Sequence, residues 1–133
     1  MRTEKENGIL GNIDASANLA VKDLAVARKF YEGTLGLTQV GSEGDGLIVY
    51  RSGKTTLNVY RSDEAGTNKA AALTWAIGDR VEEFVRALAG KGVKLEHSDI
   101  AGMTREGDVH ICGDMKVIWF KDQDGNILNI SSR

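Results

Sequence analysis

Residues 19–37 read LAVKDLAVARKFYEGTLGL, and this stretch sets the fold of the chain. The apolar alternation at Leu19 and Val21 predicts a strand. Asp23 is a preferred N-cap residue, and apolar residues recur at helical spacing after it until Gly36, a residue type that commonly ends helices. The stretch therefore predicts a strand followed at once by an amphipathic helix.

The same signals return in the second half of the chain. Asp79 and Gly92 are separated by the same thirteen residues as Asp23 and Gly36, at an offset of 56. Asp79 with Glu82 also fits a capping box. A second strand and helix are predicted there, which indicates an internal repeat.

The far end of each half repeats as well. The tripeptide LNV at 57–59 corresponds to LNI at 128–130, at an offset of 71. Because this offset is larger than 56, the second half contains a longer connection, which we place at 98–108. The predicted organisation is a single domain over 1–133, with module 1 at about 13–62, a linker at about 63–70 and module 2 at about 71–133.

Composition and charge exclude several classes of protein. Seventeen basic and nineteen acidic side chains give a net charge of -2, which is not the footprint of a nucleic-acid or anionic-membrane binder. No apolar run approaches the length of a membrane span. Cys112 is the only cysteine, so no internal disulfide forms, and the N-terminal MRTEKENG lacks the apolar segment of a secretory signal. We expect a cytoplasmic protein with no nucleic-acid or membrane partner.

Strand periodicity sorts the side chains of each module. In the closing strands the apolar residues share one face, and Asn58 or Asn129 points the other way. The apolar faces are expected to pack under the helices, which leaves the asparagine faces toward a cleft. The predicted cleft lining consists of Ser16, Asn18, Asn58, Tyr60, Trp75 and Asn129.

Several motifs together resemble one superfamily. LAVKDL at 19–24, FY at 30–31 and LGL at 35–37, followed by WFKDQDGNIL at 119–128, are similar to the vicinal oxygen chelate superfamily. That superfamily includes glyoxalase I, bleomycin-resistance proteins, extradiol dioxygenases and fosfomycin-resistance enzymes. The resemblance covers about residues 14–131. It implies an α+β fold of two tandem βαβββ modules, whose mixed sheets curl around a central cavity, and a homodimer.

Metal-dependent members of this superfamily carry His, Glu or Gln on the first and last strands of each module. By position, these sites fall at Ser16, Asn58, Leu73 and Asn129. Serine and asparagine are weak neutral donors and leucine cannot coordinate, so a divalent ion would lack charge compensation. The resemblance thus implies a member without metal or cofactor, similar to the bleomycin-resistance group, that sequesters a small organic ligand. The predicted ligand-binding residues are Ser16, Asn18, Asn58, Tyr60, Leu73, Trp75 and Asn129.

Two other functional classes stay open. One is an enzyme, either glyoxalase- or dioxygenase-like with non-standard site residues, or a metal-independent lyase or isomerase with Tyr60 or His110 as acid or base. The other is an interaction module with a vestigial cavity. Trp119 and Phe120 face opposite sides of one predicted strand, and the pattern leaves open which of them approaches the cavity.

The remaining candidates cluster near the long connection. His110 and Cys112 project to one face, which fits either a Cys–His nucleophilic pair or a buried cysteine beside a loop-edge histidine. His97 and His110 flank the loop at 98–108 without a recognisable metal-ligand spacing. The loop itself is a candidate lid. DQDGN at 122–126 predicts a hairpin turn.

Overall fold

The computed structural model describes residues 9–12 and 14–132. The polar stretch MRTEKENG and the outer limits of the predicted modules, residues 13 and 133, lie outside the described residues. Neither helix of the described part is long and apolar enough to cross a membrane.

The described chain forms an α+β fold with two sheets and two short helices, as the resemblance implies. The elements in chain order are β1 (Ala17–Val21), α1 (Leu24–Arg28), a π-helical segment (Lys29–Thr34), β2 (Thr38–Glu43), β3 (Leu47–Ser52), β4 (Thr55–Arg61), β5 (Ala71–Ala76), α2 (Val81–Gly90), β6 (Leu95–Glu96), β7 (Thr104–Glu106), β8 (Val109–Cys112), β9 (Met115–Lys121) and β10 (Ile127–Ser131).

Each half of the chain builds one mixed sheet by the same path. The first sheet has the order β1-β4-β3-β2, and β1 runs parallel to β4. The second sheet has the order β5-β10-β9-β8-β7, with β5 parallel to β10 and β6 paired to the other end of β9. In both sheets the opening strand therefore lies beside the closing strand.

The long connection contains a hairpin that the sequence did not indicate. Residues 98–108 are predicted as a loop, but Thr104–Glu106 forms β7 and pairs antiparallel with β8, with Arg105 opposite His110. All three residues of β7 are exposed. A strand without a buried face shows no apolar alternation, and for that reason the pattern missed it.

The two helices begin differently. Asp23 caps α1 as predicted, because its Oδ1 accepts from the backbone N–H groups of Ala25 (2.8 Å) and Val26 (3.3 Å). The capping box predicted at Asp79 is wrong: α2 begins at Val81, and Arg80 occupies the N-cap without a side-chain cap.

The turn predicted at 122–126 is confirmed, and it joins the two halves. Asp122 N–H donates to the Asn126 carbonyl (3.0 Å), which closes the β9–β10 hairpin. From the first half, Tyr31 Oη donates to Asp122 Oδ2 (2.7 Å), and Asn126 Nδ2 donates to the Ala20 carbonyl (2.7 Å). These buried contacts hold the turn against β1 and the helical segment after it.

Candidate functional site

The first sheet carries a row of neutral polar side chains on the face opposite its buried apolar residues. Asn18 on β1 lies beside Asn58 on β4, and Asn58 Nδ2 donates to Asn18 Oδ1 (3.1 Å). The hydroxyls of Ser16 and Thr56 are hydrogen-bonded at 2.8 Å. We call this surface the first polar face.

The second sheet carries the corresponding row. Asn129 on β10 lies between Thr74 on β5 and Trp119 on β9. When its amide nitrogen is placed toward Thr74, Asn129 donates to Thr74 Oγ1 and to the Leu73 carbonyl (3.1 Å), and its oxygen accepts from Trp119 Nε1 (3.3 Å). Both amide atoms find partners only in this orientation. We call this surface the second polar face, and Trp119 is the aromatic residue that lies on it.

The prediction that Leu73 and Trp75 share a face with Asn129 is wrong. Trp75 lies on the helix side of β5, where its ring stacks on Phe120 at 6.4 Å and its Nε1 donates to Ser52 Oγ (2.9 Å). Leu73 lies on the same helix side and packs against the core.

The repeat itself contains the signal that corrects this error. The offset of 56 relates the buried Leu19 to Trp75 and the exposed Asn18 to Thr74. Placing the site on the opening strand of module 2 by its distance from Asp79 shifted the assigned residues by one position relative to the repeat. On a strand, a shift of one residue exchanges the two faces.

His110 extends the second polar face toward the long connection. It pairs with Val117, and its ring meets Trp119 edge to face, with centroids 4.8 Å apart. Its side chain is only 1% exposed. Its Nε2 accepts from Ser98 N–H (3.0 Å), whereas its Nδ1 has no partner among the described residues. In the neutral ring the proton is therefore on Nδ1.

The structure does not form the alternative pairs that involve His110. Neither of its ring nitrogens is bonded to Cys112 within the described residues, so the Cys–His nucleophilic pair is absent there. His97 instead bonds Asp108 through Nε2 (2.6 Å) and accepts from Arg105 Nη1 (3.1 Å). His97 and Arg105 are exposed and Asp108 is partly buried, and the three side chains brace the β7–β8 hairpin.

A pocket of about 390 Å³ lies where the chain after β6 crosses His110. Its lining consists of Ser98, Asp99, Ile100, Ala101, Met103, Thr104, Arg105 and His110. The segment predicted as a lid therefore forms most of the pocket wall.

Tyr60 lies on the other sheet. It is 37% exposed and lines a smaller pocket of about 170 Å³, together with Asn18, Ala72 and linker residues such as Asn68. Tyr60 and His110 thus border different pockets.

The donors at the superfamily's metal positions do not fit a divalent ion. Ser16, Asn58 and Asn129 are neutral and already hydrogen-bonded to neighbouring side chains, and Leu73 faces the helix side. The offset of 56 relates Ser16 to Ala72, whose side chain also has no donor. Across residues 9–12 and 14–132, no three His, Cys, Asp or Glu side chains come together as a possible ligand set. The arrangement instead offers amide, hydroxyl, indole and imidazole groups, which suit an organic ligand.

Comparison with known proteins addresses the family. The protein-family model described as the Glyoxalase/Bleomycin resistance protein/Dioxygenase superfamily matches residues 13–130 of this chain. A search of curated proteins gave no match.

Solved structures of similar fold include two fosfomycin resistance proteins. One is a FosX mutant from Listeria monocytogenes, complexed with Mn(II) and 1S,2S-dihydroxypropylphosphonic acid (TM-score 0.69, 16% identity, covering 91% of this chain and 90% of that chain). Another is FosX from Mesorhizobium loti (TM-score 0.65, 11% identity, 92% of each chain). An integron cassette protein from V. cholerae is also similar (TM-score 0.60, 21% identity, 90% of this chain and 95% of that chain). At these identities the likeness concerns the fold.

Proposed function

Because the chain belongs to the glyoxalase/bleomycin resistance protein/dioxygenase superfamily, we propose that it is a metal-free small-molecule-binding protein of the bleomycin-resistance type. The row Thr74–Asn129–Trp119–His110 carries this proposal. The row combines two rings with neutral hydrogen-bonding groups and contains no anionic donor, and its His110 lines the pocket of about 390 Å³. Asp99 and Arg105, which also line that pocket, supply one charge of each sign. Such a row orients a planar organic ligand better than it holds a cation.

The FosX neighbour from Listeria was solved with Mn(II), and metal content is therefore the first measurement. After dialysis, elemental analysis is expected to find iron, zinc, manganese and nickel far below one equivalent per chain. A stoichiometric amount of any of them would overturn the proposal.

A ligand screen tests binding itself. A metabolite or antibiotic present at about a hundred times its Kd is expected to add about 2.7 kcal/mol to the free energy of unfolding. Trp119→Leu is expected to weaken binding of the ligand found by about tenfold, because the ring contact is lost and Asn129 loses the indole N–H that orients its amide. Trp75→Phe, on the opposite face of the same sheet, is the matched control and should leave the affinity unchanged. Equal loss in both variants would contradict binding on the second polar face.

A metal-independent lyase or isomerase is the alternative, and His110 favours it. A buried imidazole that lies next to a pocket, and whose Nδ1 has no partner in the part of the chain that the structure describes, has the chemistry of an acid or base. Turnover of a bound compound that disappears in His110→Ala, with binding retained, would support this alternative over sequestration.

The proposal includes a cytoplasmic homodimer. Asn18 and Thr74 are exposed on their respective polar faces, so both faces have surface that a second copy would cover. Cys112 as the single cysteine suits a reducing compartment. Light scattering of the protein as it elutes from a size-exclusion column is expected to give twice the mass of one chain. The mass of a single chain would contradict the proposed dimer.

A further inference from the structure

A separate pocket of about 310 Å³ lies on the helix side of the second sheet, away from both polar faces. The chain that follows the π-helical segment forms one wall, and β5, β9 and α2 form the others. Its principal apolar lining consists of Leu35, Leu37, Trp75, Phe84, Leu88 and Phe120.

The apolar residues around this pocket are incompletely covered. Leu35, Leu37, Trp75 and Phe84 pack against the core but stay only partly buried. Protein interiors are otherwise close-packed, so a space of this size beside the core has room for an apolar guest. The volume is at the lower end of the range for small-molecule sites.

Two aromatic rings lie next to each other at the pocket. Trp75 and Phe120 are nearly parallel, with an interplanar angle of 15°. The only donor of the indole, Nε1, is already bonded to Ser52 Oγ. The partly exposed Trp75 ring therefore offers only apolar surface, which matches a planar aromatic body, and the fully buried Phe120 supports it from the core.

One lysine lies at the rim of the pocket, and the adjoining groove is lined by three lysines and by the carboxylates of Glu96 and Asp122. Lys91, just after α2, lines both this pocket and an adjoining groove that Lys94 and Lys121 also line. Lys121 lies 3.7 Å from Glu96. For Lys91 and Lys94, no ion pair forms within the part of the chain that the structure describes.

We propose that this pocket binds a small aromatic carboxylic acid, with the ring against Trp75 and the carboxylate beside Lys91. The inference does not depend on the proposed function of the polar faces, because the two sites lie on opposite sides of the second sheet.

The two tryptophans distinguish the two sites. In a titration with naphthalene-2-carboxylate followed by NMR, the indole N–H signal of Trp75 is expected to move and that of Trp119 to stay in place. Trp75→Phe and Trp119→Phe assign the two signals. Movement of the Trp119 signal alone would overturn this inference and support ligand binding on the second polar face. No movement of either signal would overturn the inference and leave the polar faces to their own screen.

Matched variants test the pocket and its charge by calorimetry. Ala87→Phe fills the pocket and is expected to abolish binding of the acid, whereas Ala89→Phe, on the same helix but outside the lining, should not. Lys91→Met is expected to weaken binding about fivefold, and Lys69→Met in the linker should have no effect. Undiminished binding to Ala87→Phe, or equal affinity for naphthalene-2-carboxamide and the acid, would overturn the assignment.

Discussion

A single backbone contact sets the tautomer of His110. Since Nε2 accepts from Ser98 N–H, the neutral ring carries its proton on Nδ1. Among the described residues this buried Nδ1–H has no hydrogen-bond partner. An unsatisfied buried donor costs about 1–3 kcal/mol. A bound ligand would remove that cost, which ties the residue to the pocket above it.

The tautomer is directly measurable. In ¹⁵N NMR spectra recorded above the ordinary titration range of histidine, His110 is expected to show a protonated Nδ1 and an unprotonated Nε2, whereas the exposed His97 carries its proton on Nε2 toward Asp108. A protonated Nε2 in His110 would contradict the hydrogen bond from Ser98.

Gly66 in the linker is required by both its conformation and its surroundings. Its φ is +76°, and a Cβ built there would lie 1.9 Å from the Asp124 carbonyl oxygen. We expect Gly66→Ala to lower the free energy of unfolding by about 2–4 kcal/mol, from left-handed backbone strain and the clash together. Gly53→Ala, with φ +57° and open space around it, should cost only about 1–2 kcal/mol. Urea unfolding measures both, and equal costs would contradict the close approach of linker and turn.

The two helices differ at the N-cap, although the sequence places an aspartate before both of them. Asp23 bonds two N–H groups of α1, whereas α2 has no side-chain cap. Both helices are preceded by an aspartate thirteen residues before a glycine, so the residue types and their spacing are the same. The difference lies in the residue at which the helix begins after the preceding strand.

This difference predicts unequal losses of stability. Asp23→Ala is expected to lower the free energy of unfolding by about 1 kcal/mol, because the capping hydrogen bonds are lost. Asp79→Ala should change it by less than about 0.5 kcal/mol, as expected of an exposed residue without such a role. Thermal or urea unfolding of the two variants checks the order, and a larger effect at Asp79 would contradict the observed caps.

Two buried tyrosines donate to carboxylates, one of them across the junction between the two halves and the other within the first half. Tyr31 Oη donates to Asp122 across the junction, and Tyr50 Oη donates to Glu32 (2.7 Å). Burial, together with the neighbouring Asp122 carboxylate, raises the pKa of the Tyr31 hydroxyl well above its usual value of 10.0. Burial and the bond to Glu32 likewise raise the pKa of Tyr50.

These shifts predict a loss of stability in alkali. Up to about pH 9 both tyrosines are protonated in the folded and the unfolded chain. Above it the unfolded chain releases protons that the folded chain retains, so the free energy of unfolding falls by up to about 1.4 kcal/mol per pH unit for each tyrosine.

Tyr31→Phe isolates one of the two contributions. The variant is expected to be about 1–3 kcal/mol less stable than wild type at pH 7, because it lacks the buried hydrogen bond. Between pH 10 and 11.5 its stability should fall less steeply than that of the wild type, as measured by urea unfolding at each pH. Parallel slopes for the two proteins would contradict a raised pKa at Tyr31.

The order of elements and the duplicated plan follow from local chemistry. The features that set the elements act within a few residues of their own position. They are the cap at Asp23, the positive φ of Gly36 and Gly92, and the apolar alternation in β4 and β10. For that reason they were readable without coordinates. The donors at Ser16, Asn58 and Asn129 were also readable, since their chemistry is independent of what surrounds them.

Pairing between distant segments decided the rest. A one-residue change of register exchanges the faces of a strand. The parallel pairing of β5 with β10 places Thr74 beside Asn129 and turns Leu73 and Trp75 to the core, in agreement with the offset of 56. Trp119 came to lie against His110 through the pairing of β8 with β9 and of β9 with β10. The exposed β7 gave no periodic signal, and the apolar pocket beside Trp75 exists because two halves far apart in the chain pack without filling the space between them.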